Sequence, residues 1–340
     1  MGVIWGKDIK DCHPHSPHPD RSAELTAEAL SRKSIRPDHG GRGDFRVGTR
    51  PRKQTSLNAF FQYFLNGIIA GGILSLPTIG FSLLYKILRF PNFAFGTYLT
   101  CGAYAALAVN LFLGGSILWG LAGSLAVTAG VAITVDQLVF RKLRQRRPLA
   151  LAIVSIGAVF ILENVIRFIW GAGLQYYQIP VYRDAYVLGI HMGREQIAIL
   201  LAACIFMLLV HGLLKKTRLG KAMRALADNP LLAEIKGIDR ERMVILISGV
   251  GGALAGASGV FLGIDTVIHP MMGFNIILSI FAAAILGGIG SARGAMGGAM
   301  VIGLAEELSL LLIPSTYKSA VGLGIIILIL ILRPGGFMKR

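Results

Sequence analysis

The chain has 340 residues, of which 54% are hydrophobic, 15% are charged and 43 are glycine, with a mean hydropathy of +0.64. These values exclude an ordinary soluble domain and define a polytopic membrane protein, because a spanning helix needs roughly 20 apolar residues and tolerates glycine better than a soluble helix does. The formal net charge of +16 does not mark a nucleic-acid binder: Lys and Arg concentrate in the N-terminal tail and beside apolar runs, as positive-inside bias requires.

Residues 1–56 are polar, rich in Arg, His, Pro and Gly, and read as a disordered extension ahead of a membrane domain at 57–340. Cys12, His13, His15 and His18 are interleaved with proline in no helical or zinc-finger register, so no metal site is expected. Cys101 and Cys204 lie inside apolar runs as small hydrophobes, and neither a disulfide nor a cofactor is indicated.

Apolar runs extend approximately over Phe60–Leu88, Phe93–Leu113, Ile117–Phe140, Leu149–Trp170, Gln196–Leu214, Val244–Ile264, Ile276–Leu286, Ala295–Ile313 and Ala320–Leu332. The run ending at Leu286 is about half the spanning length. It leads into Leu286-Gly287-Gly288-Ile289-Gly290-Ser291, which is too glycine-rich to hold a regular helix alone. The fold expected is therefore all-α, with about eight transmembrane helices, a broken or re-entrant Gly-rich segment and a helix in the long polar loop.

Charge orients the runs. Arg141, Lys142, Arg144, Arg146 and Arg147 crowd one short turn, and Lys215, Lys216, Arg218, Lys221 and Arg224 open the polar loop, so both face the cytoplasm. The Gly171–Gly193 segment between them faces outward, its Tyr176, Tyr177, Tyr182 and Tyr186 suiting the membrane interface. Arg333, Lys339 and Arg340 place the C-terminus in the cytoplasm. The N-terminus is contradictory: counting spans back from Arg141 puts it outside, whereas Arg46, Arg50, Arg52 and Lys53 favour inside, and Pro77 and Pro91 leave room for a broken early segment.

Within the loop, Asn229 is a good N-cap, Pro230 fits the first turn and Gly237 can end the helix left-handed. About two turns cannot stand alone in water, and Leu231, Leu232 and Ile235 offer a face for support. Two readings fit: a helix that couples to a partner, or an amphipathic helix on the lipid surface.

At these residues the chain resembles a known family. Gly220-x3-Arg224-Ala225-x3-Asn229-x3-Ala233-x3-Gly237-Ile238 resembles the cytoplasmic coupling loop of branched-chain amino-acid ABC transporter permeases of the LivH type. Asn92-Phe93-Ala94-Phe95-Gly96, Ala284 to Ser291 with Gly294 to Gly298, Tyr317-Lys318 and Arg333-Pro334-Gly335-Gly336 resemble further segments of that family. The likeness covers about Asn58 to the C-terminus; Phe95 stands where the family usually has His, and Glu163 where Gln is common.

The resemblance implies a non-catalytic permease of the bacterial inner membrane that acts with a second homologous permease, two cytoplasmic ATPases and a periplasmic binding protein. It implies ATPase coupling through Gly220, Arg224, Ala225, Asn229, Ala233 and Gly237. Asn92, Phe93, Gly96, Gly287, Gly288, Gly290 and Glu306 are the candidates for the substrate pathway. The cargo implied is a branched-chain or related amino acid, with urea, short amides or aromatic acids as alternatives. The sequence itself contains no G-x-x-x-x-G-K-[ST] phosphate loop, which agrees with a partner supplying the energy.

Other readings stay open. Glycines at four-residue spacing, Gly290, Gly294 and Gly298, also serve close helix packing, whereas a broken helix at membrane depth can offer its backbone to a zwitterionic solute; the Gly249–Gly263 run reads as packing only. Glu163 and Arg167 are four apart and expected to neutralise each other, of Glu306 and Glu307 only one is expected to point inward, and Asp136 should anchor the cation cluster at Arg141. A secondary transporter or channel would share the broken helices but has no use for a structured coupling loop, and no cluster with enzyme-like spacing is present. A translation start nearer Leu57 would need an alternative start codon, since the next Met after Met1 is Met192; N-terminal sequencing of the purified protein decides this, and Met1 at the terminus excludes it.

Overall fold

The computed structural model describes residues 56–112, 117–144, 147–178, 185–187 and 190–332. The polar extension, with Cys12 and its neighbouring histidines, and the C-terminal Arg333, Lys339 and Arg340 lie outside the described residues, as do Arg146 and Tyr182. The chain forms α1 (Ser56–Leu88), α2 (Ala94–Phe112) and α3 (Ile117–Val135), the last continuing through a π-helical turn, Asp136–Phe140, to Leu143. Then come α4 (Pro148–Trp170), a small hairpin of β1 (Ala185–Val187) and β2 (Ile190–Met192), and α5 (Arg194–Lys216). The polar loop holds α6 (Arg218–Asp228) and α7 (Pro230–Ile235), followed by α8 (Arg240–Asp265), α9 (Met272–Gly287), α10 (Ala292–Ser309) and α11 (Lys318–Leu332).

Six helices, α1 to α5 and α8, are long and apolar enough to cross a membrane, and α9 is a shorter apolar helix. Burial separates them: 89% of the apolar stretch of α1 lies inside the body, against 17% of that of α5. Helix α1 is thus the central post, touched by α8, α10 and α9, while α5 and α4 turn Leu201, Leu208, Phe160 and Phe168 outward as a lipid-facing surface.

The early orientation is resolved by contacts. The C-terminal part of α1, at Lys86, adjoins the polar loop, whereas Gln62 and Asn66 near its start share a cavity with Glu195 and Asp265. Helix α1 therefore begins at the end opposite the loop, as counting from Arg141 required. Pro77 does not break it. Proline lacks the N–H that would bond the carbonyl four residues back, and that carbonyl, Ile73 O, instead accepts from Ser258 Oγ of α8 at 2.9 Å.

Irregular backbone occurs elsewhere. Helix α1 stops at Arg89, whose φ of 53° is left-handed, and the chain turns back so that Phe95 in the first turn of α2 packs against Gly80 and Gly251, mid-way along α1 and α8. Residues 266–271 likewise turn into the body after α8: Ile268 is fully buried, pairs with Gln175 in an isolated antiparallel bridge, and delivers Gly273 to Thr100, whose Oγ1 accepts from Gly273 N at 3.0 Å. The N-termini of α2 and α9 consequently meet backbone to backbone at Gly96 and Gly273, where a Cβ on Gly273 would stand 1.9 Å from Gly96 O. Tyr177 closes this end, donating to Ala103 O at 3.0 Å, and burial pushes its phenol above its ordinary pKa.

Removing the Ser258 hydroxyl leaves Ile73 O unpaired inside the bundle, so Ser258→Ala should destabilise by roughly 1–3 kcal/mol. Thermal unfolding in detergent measures this. In a Pro77→Ala background, where the helix supplies its own donor, the loss should shrink to near zero; equal losses in both backgrounds would refute the account.

Candidate functional site

The polar loop is more structured than its cap and stop signals indicated. Helix α6, which those signals did not reveal, lies under the end of α5 through Gly220, Met223 and Leu226, and Thr217 Oγ1 caps it by accepting from Gly220 N at 3.3 Å. Gly220 sits so close to Leu214 that a Cβ would stand 2.0 Å from Leu214 O. Arg224, with Nη1 2.6 Å from the same carbonyl, satisfies the terminal turn of α5.

Asn229 then serves both helices. Its N–H donates to Ala225 O at 3.0 Å to close α6, and its Oδ1 accepts from Leu232 N at 3.1 Å to open α7. The stop is a Schellman motif: Gly237 has φ +83°, Ile238 N donates to Ala233 O at 3.0 Å and Gly237 N to Glu234 O at 2.9 Å. One expectation is corrected. Helix α7 docks on its own chain through Ala233, which is 4% exposed, while Leu231, Leu232 and Ile235 are 71%, 52% and 75% exposed and give the chain no support.

At the opposite end a cavity of about 370 Å³ opens between α1, the end of α8, α9, α10 and α11. Its polar lining is mixed in sign. Glu306 accepts from Ser279 Oγ of α9 at 2.6 Å, and Glu307 pairs with Lys318 at the start of α11; Asp265, His269 and Asn275 complete it, and Ile73, Leu74 and Met272 form apolar walls. Both glutamates are thus turned inward, 5% and 9% exposed, contrary to the expectation that only one could be. The spacing of residues 306 and 307 gave no hint of Lys318 as the partner that makes this possible.

The Gly-rich turn is a third locus. Gly288 and Gly290 have φ of +89° and +90°, and Gly290 N donates to Ser82 Oγ at 2.8 Å, beside Lys86 and thus at the polar-loop end of the body. Beyond the turn α9 and α10 touch through backbone: a Cβ on Gly294 would stand 1.9 Å from Gly287 O, and one on Gly298 2.1 Å from Ala283 O. The Gly249–Gly263 run packs similarly: a Cβ on Gly259 would stand 2.0 Å from Leu99 O.

The remaining candidates hold α2 and α9. Asn92 Oδ1 accepts from Ala94 N at 3.0 Å, Phe93 N donates to Ser155 Oγ at 3.1 Å, the Phe93 ring meets Phe281 with centroids 5.1 Å apart, and Gly96 abuts Gly273. Asp136 anchors as expected: it pairs with Arg144, whose Nη1 also donates to Glu241 Oε2 at 2.6 Å, tying α3 to the start of α8. Glu163 and Arg167 make no close ion pair, and Glu163 Oε1 and Arg167 Nε are buried without hydrogen-bond partners, but the Arg167 charge still acts on Glu163 as expected. Among the described residues no His, Cys, Asp and Glu group could hold a metal ion.

A central post, helices that start inside the body and six helices long and apolar enough to cross a membrane define a multi-pass membrane protein, with a mixed-charge cavity at one end. The family model for the branched-chain amino acid transport system permease component matches residues 63–330, and the chain belongs to that family. Among curated relatives, the high-affinity branched-chain amino acid transport system permease protein LivH of Escherichia coli (strain K12) is 29% identical over 83% of this chain and 96% of its own length. BraD of Pseudomonas aeruginosa, with the same description, is 30% identical over the same shares. The probable permease LivH of Methanocaldococcus jannaschii is 31% identical over 79% of this chain and 89% of its own. Among solved structures, PsaBC from Streptococcus pneumoniae in complex with Fab aligns with a TM-score of 0.44 at 13% identity, covering 79% of this chain and 91% of that one.

Proposed function

We propose that this chain is the transmembrane permease subunit of an ATP-binding-cassette importer for branched-chain or related amino acids. It works with a second permease, two cytoplasmic ATPases and an external binding protein. The polar loop then faces the cytoplasm and the mixed-charge cavity faces outward. The observation that carries this reading is α7: an apolar face of Leu231, Leu232 and Ile235 held out from the body by a capped start and a Schellman stop, at the cation-rich end, in a chain without a phosphate loop. Such a face suits a cleft on a partner, in the manner of helix-in-groove recognition.

Coupling follows from shared contacts. Arg224 of α6 and Gly290 of the glycine turn line one pocket, and from that turn α9 and α10 run to Ser279 and Glu306 at the outer cavity. A push on α6 and α7 by a closing ATPase pair therefore acts on a rigid, backbone-packed hairpin whose far end holds the solute. Gly287 and Gly288 give that hairpin its tight turn, and Asn92, Phe93 and Gly96 form the surface it moves against. In the cavity, Glu306 and Lys318 offer opposite charges to the ammonium and carboxylate of an amino acid, with Ile73, Leu74 and Met272 beside its side chain.

Ala233 faces the body and Arg224 caps α5, so substitutions there would disturb the fold itself; Leu231→Glu with Ile235→Glu addresses the partner alone. That variant should insert normally, lose the co-purifying ATPase and lower ATP-driven uptake by about tenfold or more. Unchanged ATPase retention would refute the docking. Glu306→Gln, which keeps an acceptor for Ser279, should raise the KM of uptake by about tenfold or more while leaving ATPase association intact; an unchanged KM removes Glu306 from the pathway.

A further inference from the structure

The pocket shared by Arg224 and Gly290 has a property that coupling leaves unexplained. It encloses about 340 Å³ between the ends of α1 and α5, helix α6 and the first turn of α10, and Lys86, Lys215, Arg224, Arg293 and His211 line it without a single carboxylate. Arg224 is anchored on Leu214 O. Among the described residues Lys86, Lys215 and Arg293 have neither an ion-pair nor a hydrogen-bond partner, and no acid faces them in the pocket.

Like charges brought together from four elements repel one another, and an anion between them relieves that repulsion. An amino acid at neutral pH is a zwitterion and would leave this imbalance largely uncompensated. A phosphate group fits, since several ammonium and guanidinium donors can share its oxygens. The pocket's location decides the rest of the molecule. It abuts α5, whose Leu201, Ile205, Leu208 and Leu209 are 60%, 56%, 70% and 62% exposed along the lipid-facing side leading to His211 and Lys215. A ligand with a phosphate head and an acyl tail satisfies both surfaces at once, and basic pockets between helices at the cytoplasmic side have this recognition chemistry.

We propose that this pocket binds the phosphodiester headgroup of an anionic phospholipid from the adjoining leaflet, with its acyl chains along α5. Because the same pocket contains Arg224 and Gly290, the bound lipid braces α6 against the glycine turn. The inference needs only that α5 faces lipid and is independent of which solute is carried.

The test uses the full-length chain purified in neutral detergent, with thermal unfolding followed during titration by phosphatidylglycerol, phosphatidylcholine of matched chains, or inorganic phosphate. Phosphatidylglycerol alone should raise the unfolding temperature saturably. Lys86→Gln with Arg293→Gln should weaken its half-saturation about thirtyfold, at roughly a tenfold or smaller effect for each cation. Lys215→Gln serves as an independent variant, and the unfolding temperature without lipid reports whether either variant is folded. Equal response to phosphatidylcholine, or unchanged half-saturation in folded variants, overturns the proposal. An equal shift with inorganic phosphate reassigns the site to a free anion, and loss of ATPase association with unchanged lipid response reassigns the cations to the partner; either result overturns the lipid assignment.

Discussion

Backbone polar groups inside a bilayer must find partners within the protein, because each one left unpaired costs several kcal/mol. This constraint organises the whole body. At four places where the backbone lacks a helical partner, a small hydroxyl side chain from a distant element takes up the freed group. Ser258 donates to Ile73 O across 185 residues of sequence, Thr100 accepts from Gly273 N across 173, Ser82 from Gly290 N across 208 and Ser155 from Phe93 N across 62. The backbone bridge between Gln175 and Ile268 does the same for the turn into α9. Irregular segments survive at depth because they are sealed by protein, and they bring the N-termini of α2 and α9 inside the body.

The second requirement is proximity. Apolar burial does little to drive helices together in lipid, so close van der Waals contact and interhelical hydrogen bonds must do it. Glycine supplies the contact. Gly287 with Gly294, Gly298 with Ala283 and Gly96 with Gly273 meet at backbone distance, which makes the α9–α10 hairpin a stiff unit and clamps the start of α9 to the start of α2. The hydroxyl bonds depend on this closeness, since a serine reaches only a neighbour whose backbone is nearly in contact.

Local signals were legible in the sequence where their physics is local. Asn229, Pro230 and Gly237 define α7 because capping involves residues three or four apart, and the cation cluster at Arg141 to Arg147 marks one end of the bundle. Helix α6 escaped notice, although Leu219, Met223 and Leu226 recur at helical spacing, because its cap, Thr217, follows directly on α5 and no break separates the two. The turn into α9 was likewise hidden: Ile268 is an ordinary apolar residue, and its burial depends on a bridge to Gln175 far away in sequence. The Gly-rich segment drew attention as the place of a break, and it does turn there, but further breaks fall at 89–93, where Arg89 adopts a left-handed conformation, and at 266–271. Pairings across helices, Glu307 with Lys318 or Ser279 with Glu306, have no signature short of the fold.

The two ends of the α9–α10 hairpin differ in charge, and the difference has a physical consequence. At the outer end Glu306 and Glu307 are buried, but each has a partner, and Lys318 balances part of the negative charge. A cavity of this kind offers partners to both charges of a molecule carrying both signs, with the carboxylates in excess. At the polar-loop end the pocket is lined by cations with no carboxylate among them, a lining that suits an anion. On the proposed function, a zwitterion passing inward meets groups of both signs at this cavity, where Asp265, Glu306 and Glu307 outnumber Lys318, while the purely cationic lining stands at the other end, where α6 and the glycine turn meet. The two proposed roles, passage and anchorage, thus fall at places of different charge composition along a single pair of helices.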